Sequence, residues 1–186
     1  MLKKLNPMDI KMKVENCNIP DVKLISNVEY LDDRGSFIES YKESVYAKSG
    51  INYKFIQDNL VYSKKNVLRG LHYQDKHPQG KLVSVLYGEI FDVAVDINKN
   101  SKTYLQWVGK KLSKDNLFQL FIPPGYAHGY CVLSDFAIVM YKCTEYYYAD
   151  EQKGIIWNDN NIGIDWPISN PILSDKDNKL PLLASI

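Results

Sequence analysis

KLVSVLYGEIFDVAVDI, residues 81–97, reads as two β-strands joined at Gly88-Glu89. In the second strand Phe91, Val93, Val95 and Ile97 fall on one face and Ile90, Asp92, Ala94 and Asp96 on the other. The same two-residue alternation recurs outward in both directions. It predicts strands over 22–31, 35–41, 54–62, 66–74, 104–112, 117–122, 126–133 and 136–147. Only 41–50 (YKESVYAKSG) has a helical pattern, with Gly50 as its stop, and a short helical turn is expected near 149–153. About ten short antiparallel strands in one chain predict an all-β jelly roll, whose interior can hold a ligand. The 186 residues suit a single domain. Its parts are an N-terminal arm (1–17), a jelly-roll body (18–165) and a C-terminal extended arm (166–186) with three prolines, carrying Lys176 and Asp177.

Composition removes several classes of function. Residues are 45% hydrophobic and 24% charged, which excludes general disorder. Cations number 23 against 22 anions, so there is no field for gripping nucleic acid and no polybasic surface for lipid. No apolar run reaches the roughly 18 residues of a membrane helix, and MLKKLNPMDIKMK (1–13) lacks the hydrophobic stretch of a secretory signal. Cys17, Cys131 and Cys143 form no C-x-x-C pair, so they read as reduced thiols in a cytoplasmic protein. The 14 tyrosines suit both a sheet and a site that touches rings and hydroxyls.

Of the 23 cations 21 are lysines; the other two are Arg34 in DDRGSF (32–37) and Arg69 in VLRGLHYQ (67–74). Arginine presents a planar fork that holds phosphate or carboxylate with two bonds, where lysine is a point charge. His72 lies three residues after Arg69, and QGKLV (79–83) brings Lys81 to the start of the next strand. A base, a fixed cation and an anion-gripping arginine suit carbon-acid chemistry on a phosphorylated substrate. In a flat strand residues 69 and 72 point to opposite faces, so Gly70 must mark a bulge or kink if both serve one pocket. The three histidines, His72, His77 and His128, lack the H-x-H spacing of a metal-binding jelly roll, so no metal is expected. His77 precedes proline in DKHPQGK, as in an exposed loop. Asp92 reads either as solvent-facing or as the interior partner of His128. Tyr141 shares a face with Ala137, Val139 and Cys143, and reads first as a core ring with a satisfied hydroxyl, second as an interior acid.

Taken in order, DDRGSFIES, FIQDNLVYSKKNVLRGLHYQ, QGKLVSVLYGEIFDVAVDI, FIPPGYAHGY, YKCTEYY and GIIWNDNNIGIDWP resemble the dTDP-4-dehydrorhamnose 3,5-epimerase family. The likeness runs from about residue 18 to the C-terminus. It implies a homodimeric, metal-free double-stranded β-helix of the cupin superfamily with short peripheral helices. By position the resemblance makes His72 the general base, Tyr141 the general acid, Asp177 the carboxylate that orients His72, and Lys81 the cation beside the sugar's C4 oxygen. Gln57, Asn59, Arg69, His128 and Lys176 match substrate contacts, and Arg34 and Glu39 match contacts supplied across the dimer interface. Two positions depart from the pattern, Ser36 where phenylalanine is frequent and Gln152, beside Glu151, where the family has glutamate. Both touch nucleotide recognition.

The implied substrate is dTDP-4-dehydro-6-deoxy-D-glucose, inverted at C3 and C5 through an enolate with no cofactor. The chain has no Rossmann glycine motif. Other readings of the same residues are epimerisation at C3 or C5 only, action on another nucleotide-linked 4-ketosugar, a non-catalytic sugar-nucleotide module, and a metal-dependent cupin.

Overall fold

In the computed structural model residues 12–185 are described, and the first eleven positions of the N-terminal arm lie outside them. Thirteen strands form among them: β1 (Lys13–Asn16), β2 (Lys23–Ser26), β3 (Glu29–Asp32), β4 (Gly35–Ile38), β5 (Gln57–Lys64), β6 (Leu68–Gln74) and β7 (Lys81–Tyr87). After these come β8 (Glu89–Asp96), β9 (Trp107–Ser113), β10 (Phe118–Ile122), β11 (Tyr126–Val132), β12 (Phe136–Cys143) and β13 (Gln152–Gly154). One helix, α1 (Glu43–Lys48), and two 3₁₀ turns, Asp177–Lys179 and Leu183–Ser185, complete the set.

Two sheets face each other. The larger has the order β1-β2-β10-β7-β12-β5, the smaller β13-β6-β11-β8-β9, and β3-β4 stands apart as a hairpin. All these pairings are antiparallel, as a jelly roll requires. The fold is the double-stranded β-helix of the cupins. Gly88 is therefore not the tip of a hairpin. It is a corner at which the chain leaves one sheet for the other, with φ +77°, and a Cβ there would run into Phe136 O and Ser134 Oγ.

Between the sheets lies a core containing Val83, Val85, Ile90, Ala94, Leu120, Ile122, Val132 and Val139. The opposite face of β8 is buried too: Val93 and Val95 pack with Leu71 and Ala127 beneath Ile155 and Ile162 of the C-terminal segment. β8 is thus covered on both faces, and alternation could not say which was interior. Asp92 lies on the inter-sheet side with no exposure, so its solvent-facing reading is overturned. On the other flank α1 lays Tyr46 against Ile25, Leu82 and Phe121 of the large sheet.

Some element boundaries differ from expectation. The strand predicted over 22–31 breaks in two, because Ser26 ends its pairing with β10 while Glu29 begins the separate hairpin. The helical turn expected near 149–153 is a plain turn that runs into β13, held on β6 by Gln152↔Gln74 and Gly154↔His72. β1 takes part of the N-terminal arm into the sheet edge. The helix is six residues long, shorter than the ten expected.

Candidate active site

A cavity of about 420 Å³ opens between the two sheets. The large sheet contributes Gln57, Asn59, Lys81 and Tyr141; the small one contributes Arg69, His72, His128 and Gln152; the arm adds Lys176 and Asp177. Nine of the eleven side chains marked in the sequence therefore meet in one place.

The shared direction of Arg69 and His72 comes from a bulge. His128 pairs with His72 and Tyr130 with Arg69, so Gly70 and Leu71 together face the single residue Gly129. Gly70 has φ +123°, and a Cβ on it would lie 2.6 Å from Gly129 Cα and 2.7 Å from His128 O. Only glycine permits that approach.

His72 Nε2 lies 2.5 Å from Asp177 Oδ1, across 105 residues of chain. The arm reaches this point by docking on the start of β6: Leu68 N–H donates to Ile172 O and Ile172 N–H to Asn66 O. The 3₁₀ turn at Asp177–Lys179 then presents the carboxylate, which is 4% exposed. Burial by itself would raise the Asp177 carboxyl. The bond and charge of His72, with hydrogen bonds from Ser174 and the Gly70 amide, outweigh it and hold the group below the usual carboxylate range. An ionised Asp177 only accepts, so His72 Nε2 carries the proton and Nδ1 is the basic nitrogen.

A second His–Asp pair lies beside the first. His128 Nε2 is 2.7 Å from Asp92 Oδ1, and both are buried. Burial lowers the His128 ring below the usual range more than Asp92 raises it. Among the described residues Asp92 Oδ2 and the Tyr130 hydroxyl have no hydrogen-bond partner. Burial also lowers the Lys81 ammonium, with Cys143 and Asp92 opposing. Tyr141 packs against the inter-sheet core and lines the cavity; burial first, then Cys143 and Tyr130, push its hydroxyl up to about 12. Arg69 donates its Nε–H to Ser63 Oγ at 3.1 Å, and the residue lines the cavity.

Arg34 and Glu39 are not at this cavity. Arg34 sits on the β3-β4 hairpin, 90% exposed, paired with Asp32, and Glu39 is 3.7 Å from Lys42. Several lining residues escaped the sequence reading: Gln79, Tyr130, Tyr147 and Ser174. Tyr130 was within reach, since alternation puts it on the face of His128. Gln79, Tyr147 and Ser174 lie outside the strands and carry no periodic signal. His77, expected in an exposed loop, is about half-exposed and held by Glu151 at 2.8 Å. No cluster of three or more His, Cys, Asp or Glu side chains placed to hold a metal ion occurs among the described residues. No helix among them is long and apolar enough to cross a membrane.

Residues 16–185 match the family described as dTDP-4-dehydrorhamnose 3,5-epimerase. A relative of that name from Methanothermobacter thermautotrophicus is 52% identical over 151 residues, covering 80% of this chain and 82% of its own. The dTDP-6-deoxy-D-glucose-3,5-epimerase of Legionella pneumophila, solved with dTDP-4-keto-L-rhamnose, superposes with TM-score 0.92 at 48% identity, covering 95% of each chain. The Bacillus anthracis dTDP-4-dehydrorhamnose 3,5-epimerase, solved with TDP and PPi, gives 0.90 at 48% identity, covering 93% of this chain and all of that one.

Proposed function

The chain belongs to the dTDP-4-dehydrorhamnose 3,5-epimerase family, and on that premise we propose that it inverts C3 and C5 of dTDP-4-dehydro-6-deoxy-D-glucose to give dTDP-4-dehydro-L-rhamnose. The observation that carries this reading is the His72–Asp177 pair on one wall of a cavity whose opposite wall holds Lys81 and Tyr141.

The C4 ketone makes the hydrogens on C3 and C5 removable, because the carbanion is delocalised as an enolate. Nδ1 of His72 takes the proton, and Asp177 stabilises the imidazolium that forms and keeps the ring in register. Lys81, with no hydrogen bond spent on protein among the described residues, opposes the charge developing on O4; one such donor is worth about 3 kcal/mol of barrier. Inversion needs a proton from the other side of the sugar ring. His72 and Tyr141 stand on different sheets, so a sugar held between them meets base and acid on opposite faces. The elevated Tyr141 keeps its proton at neutral pH until the enolate calls for it. Arg69 and Lys176 serve the diphosphate, Gln57, Asn59 and His128 the rest of the ligand, and the half-exposed Tyr147 ring at the rim offers a face to the base.

The working form in this reading is a homodimer. Leu60, Tyr62 and Tyr87 are exposed on the outer face of the large sheet, and Leu31 and Phe37 on the hairpin that carries Arg34. A partner covering that face would bring Arg34 and Glu39 to its neighbour's cavity. Three free cysteines accord with a cytoplasmic setting.

Incubation with the 4-ketosugar nucleotide in D₂O, followed by NMR, tests the reaction. Deuterium is expected at both C3 and C5 with inversion at each. Label at one carbon alone would reduce the activity to a single epimerisation, and label at neither would refute it.

A further inference from the structure

The cavity mouth is built from three separate segments that meet on one side-chain oxygen. Lys176 of the arm donates to Gln152 Oε1 at 2.7 Å, and Tyr147 of the preceding loop donates its hydroxyl to the same atom at 2.8 Å. The orientation of this amide is determined by its partners. An ammonium only donates, so the atom facing Lys176 must be the oxygen. The Gln152 Nε2 hydrogens have no protein acceptor among the described residues.

An amide and a carboxylate would bridge these two groups equally well in shape, but not in charge. A carboxylate at 152 would make a salt bridge and cancel the lysine; the amide leaves it whole. The chain keeps the neighbouring carboxylate out of the way. Glu151, in the turn just before β13, is engaged by His77 instead: His77 Nδ1 lies 2.8 Å from Oε2, the His77 amide donates to the same oxygen at 3.2 Å, and Glu151 does not line the cavity. As a result the cavity lining holds three cations, Arg69, Lys81 and Lys176, against one carboxylate, Asp177, which is committed to His72.

We propose that Gln152 is a positioning residue: a neutral bridge that fixes Lys176 and Tyr147 at the cavity mouth while leaving the lysine's charge unshared for a diphosphate-bearing substrate. The proposal rests on the functional reading above and adds a rule to it, that affinity at this rim follows the charge of the ligand. A doubly charged ligand meeting one extra negative charge at a solvent-exposed rim loses about tenfold in affinity.

Calorimetric titration of the full-length protein with dTDP, dTMP and thymidine separates the cases. Gln152→Glu is expected to weaken dTDP about tenfold, dTMP less and thymidine not at all, with the dTDP penalty shrinking in high salt. Turnover at saturating substrate should stay within about twofold, so the change falls on KM rather than kcat. Gln152→Met, which keeps the volume and adds no charge, should cost dTDP distinctly less than Glu does. Equal losses for dTDP and thymidine, equal effects of Glu and Met, or unchanged dTDP affinity in Gln152→Glu would each overturn the role of Gln152. Failure of the unaltered protein to bind dTDP would instead overturn the functional reading itself, and the proposal with it.

Discussion

Replacing Asp177 by asparagine tests the base most directly, because it keeps the side chain's size and removes only its charge. The carboxylate contacts His72 at 2.5 Å and is 4% exposed, so solvent cannot take its place. For charge centres roughly 4 Å apart and an effective dielectric of about 20, the imidazolium formed on proton abstraction loses about 4 kcal/mol of stabilisation. That corresponds to about a thousandfold in rate. The amide can also present its N–H₂ to the ring, which favours the wrong tautomer and works in the same direction. Deuterium wash-in at C3 and at C5 should both fall by about that factor, since one base is proposed to serve both carbons, while KM changes little. The same variant has a signature in stability. The folded carboxyl titrates below its unfolded value of about 3.9, so it stabilises the native state above that pH and the benefit is lost as pH falls through the lower folded value. Apart from any difference unrelated to the charge, Asp177→Asn should therefore differ from wild type in Tm at neutral pH by more than it does in acid below about pH 4. Wash-in within threefold of wild type at both carbons would refute the assignment of Asp177 as partner of the base.

Three further outcomes follow from the site. Tyr141→Phe should lower inversion at C5 by roughly 10²–10⁴, with exchange at C3 suffering less, as read by NMR; a rate within a few-fold at both carbons would return the ring to a packing role. The alkaline limb of the kcat–pH profile should begin below the usual lysine value of about 10.4, because burial lowers Lys81, whereas Tyr141 titrates only at about 12. Lys81→Arg should move that limb to higher pH, and an unmoved limb would assign it elsewhere. Gly70→Ala places a methyl against Gly129 and His128 in a conformation with φ +123°, a cost on the order of 3 kcal/mol. Its Tm should drop by roughly 6–12 °C, with activity reduced because Arg69 and His72 both depend on that bulge.

The strands were readable wherever one face met the core and the other met water. They were less so where the chain departs from that rule. β8 is covered on both sides, so its alternation marked a strand without saying that Asp92 looks inward. β13 has three residues, Gln152, Lys153 and Gly154, and exists because β6 offers a free edge rather than through any pattern of its own. Gly70 was legible as a demand, since two residues three apart had to face one pocket, and the bulge meets that demand. Asp177 could be found only through the family resemblance: nothing local in LSDKD marks a carboxylate bound for a histidine 105 residues away. Tyr147 and Ser174 sit in irregular segments whose positions depend on docking, which no periodicity records.

The carboxylate's place in the arm has a consequence for how the protein comes to life. Ribosomes deliver the chain from its N-terminus, and every strand of both sheets, through Gly154, is made before Asp177 emerges. A nascent chain can thus hold His72, Lys81 and Tyr141 on finished strands and still lack the carboxylate that pairs with His72. Asp177 is carried on the seam between Ile172 and β6, so the His72–Asp177 pair closes only after the strands of both sheets have been made. Proteolytic loss of the segment from about Pro171 onward would leave both sheets intact in sequence and the histidine without its partner.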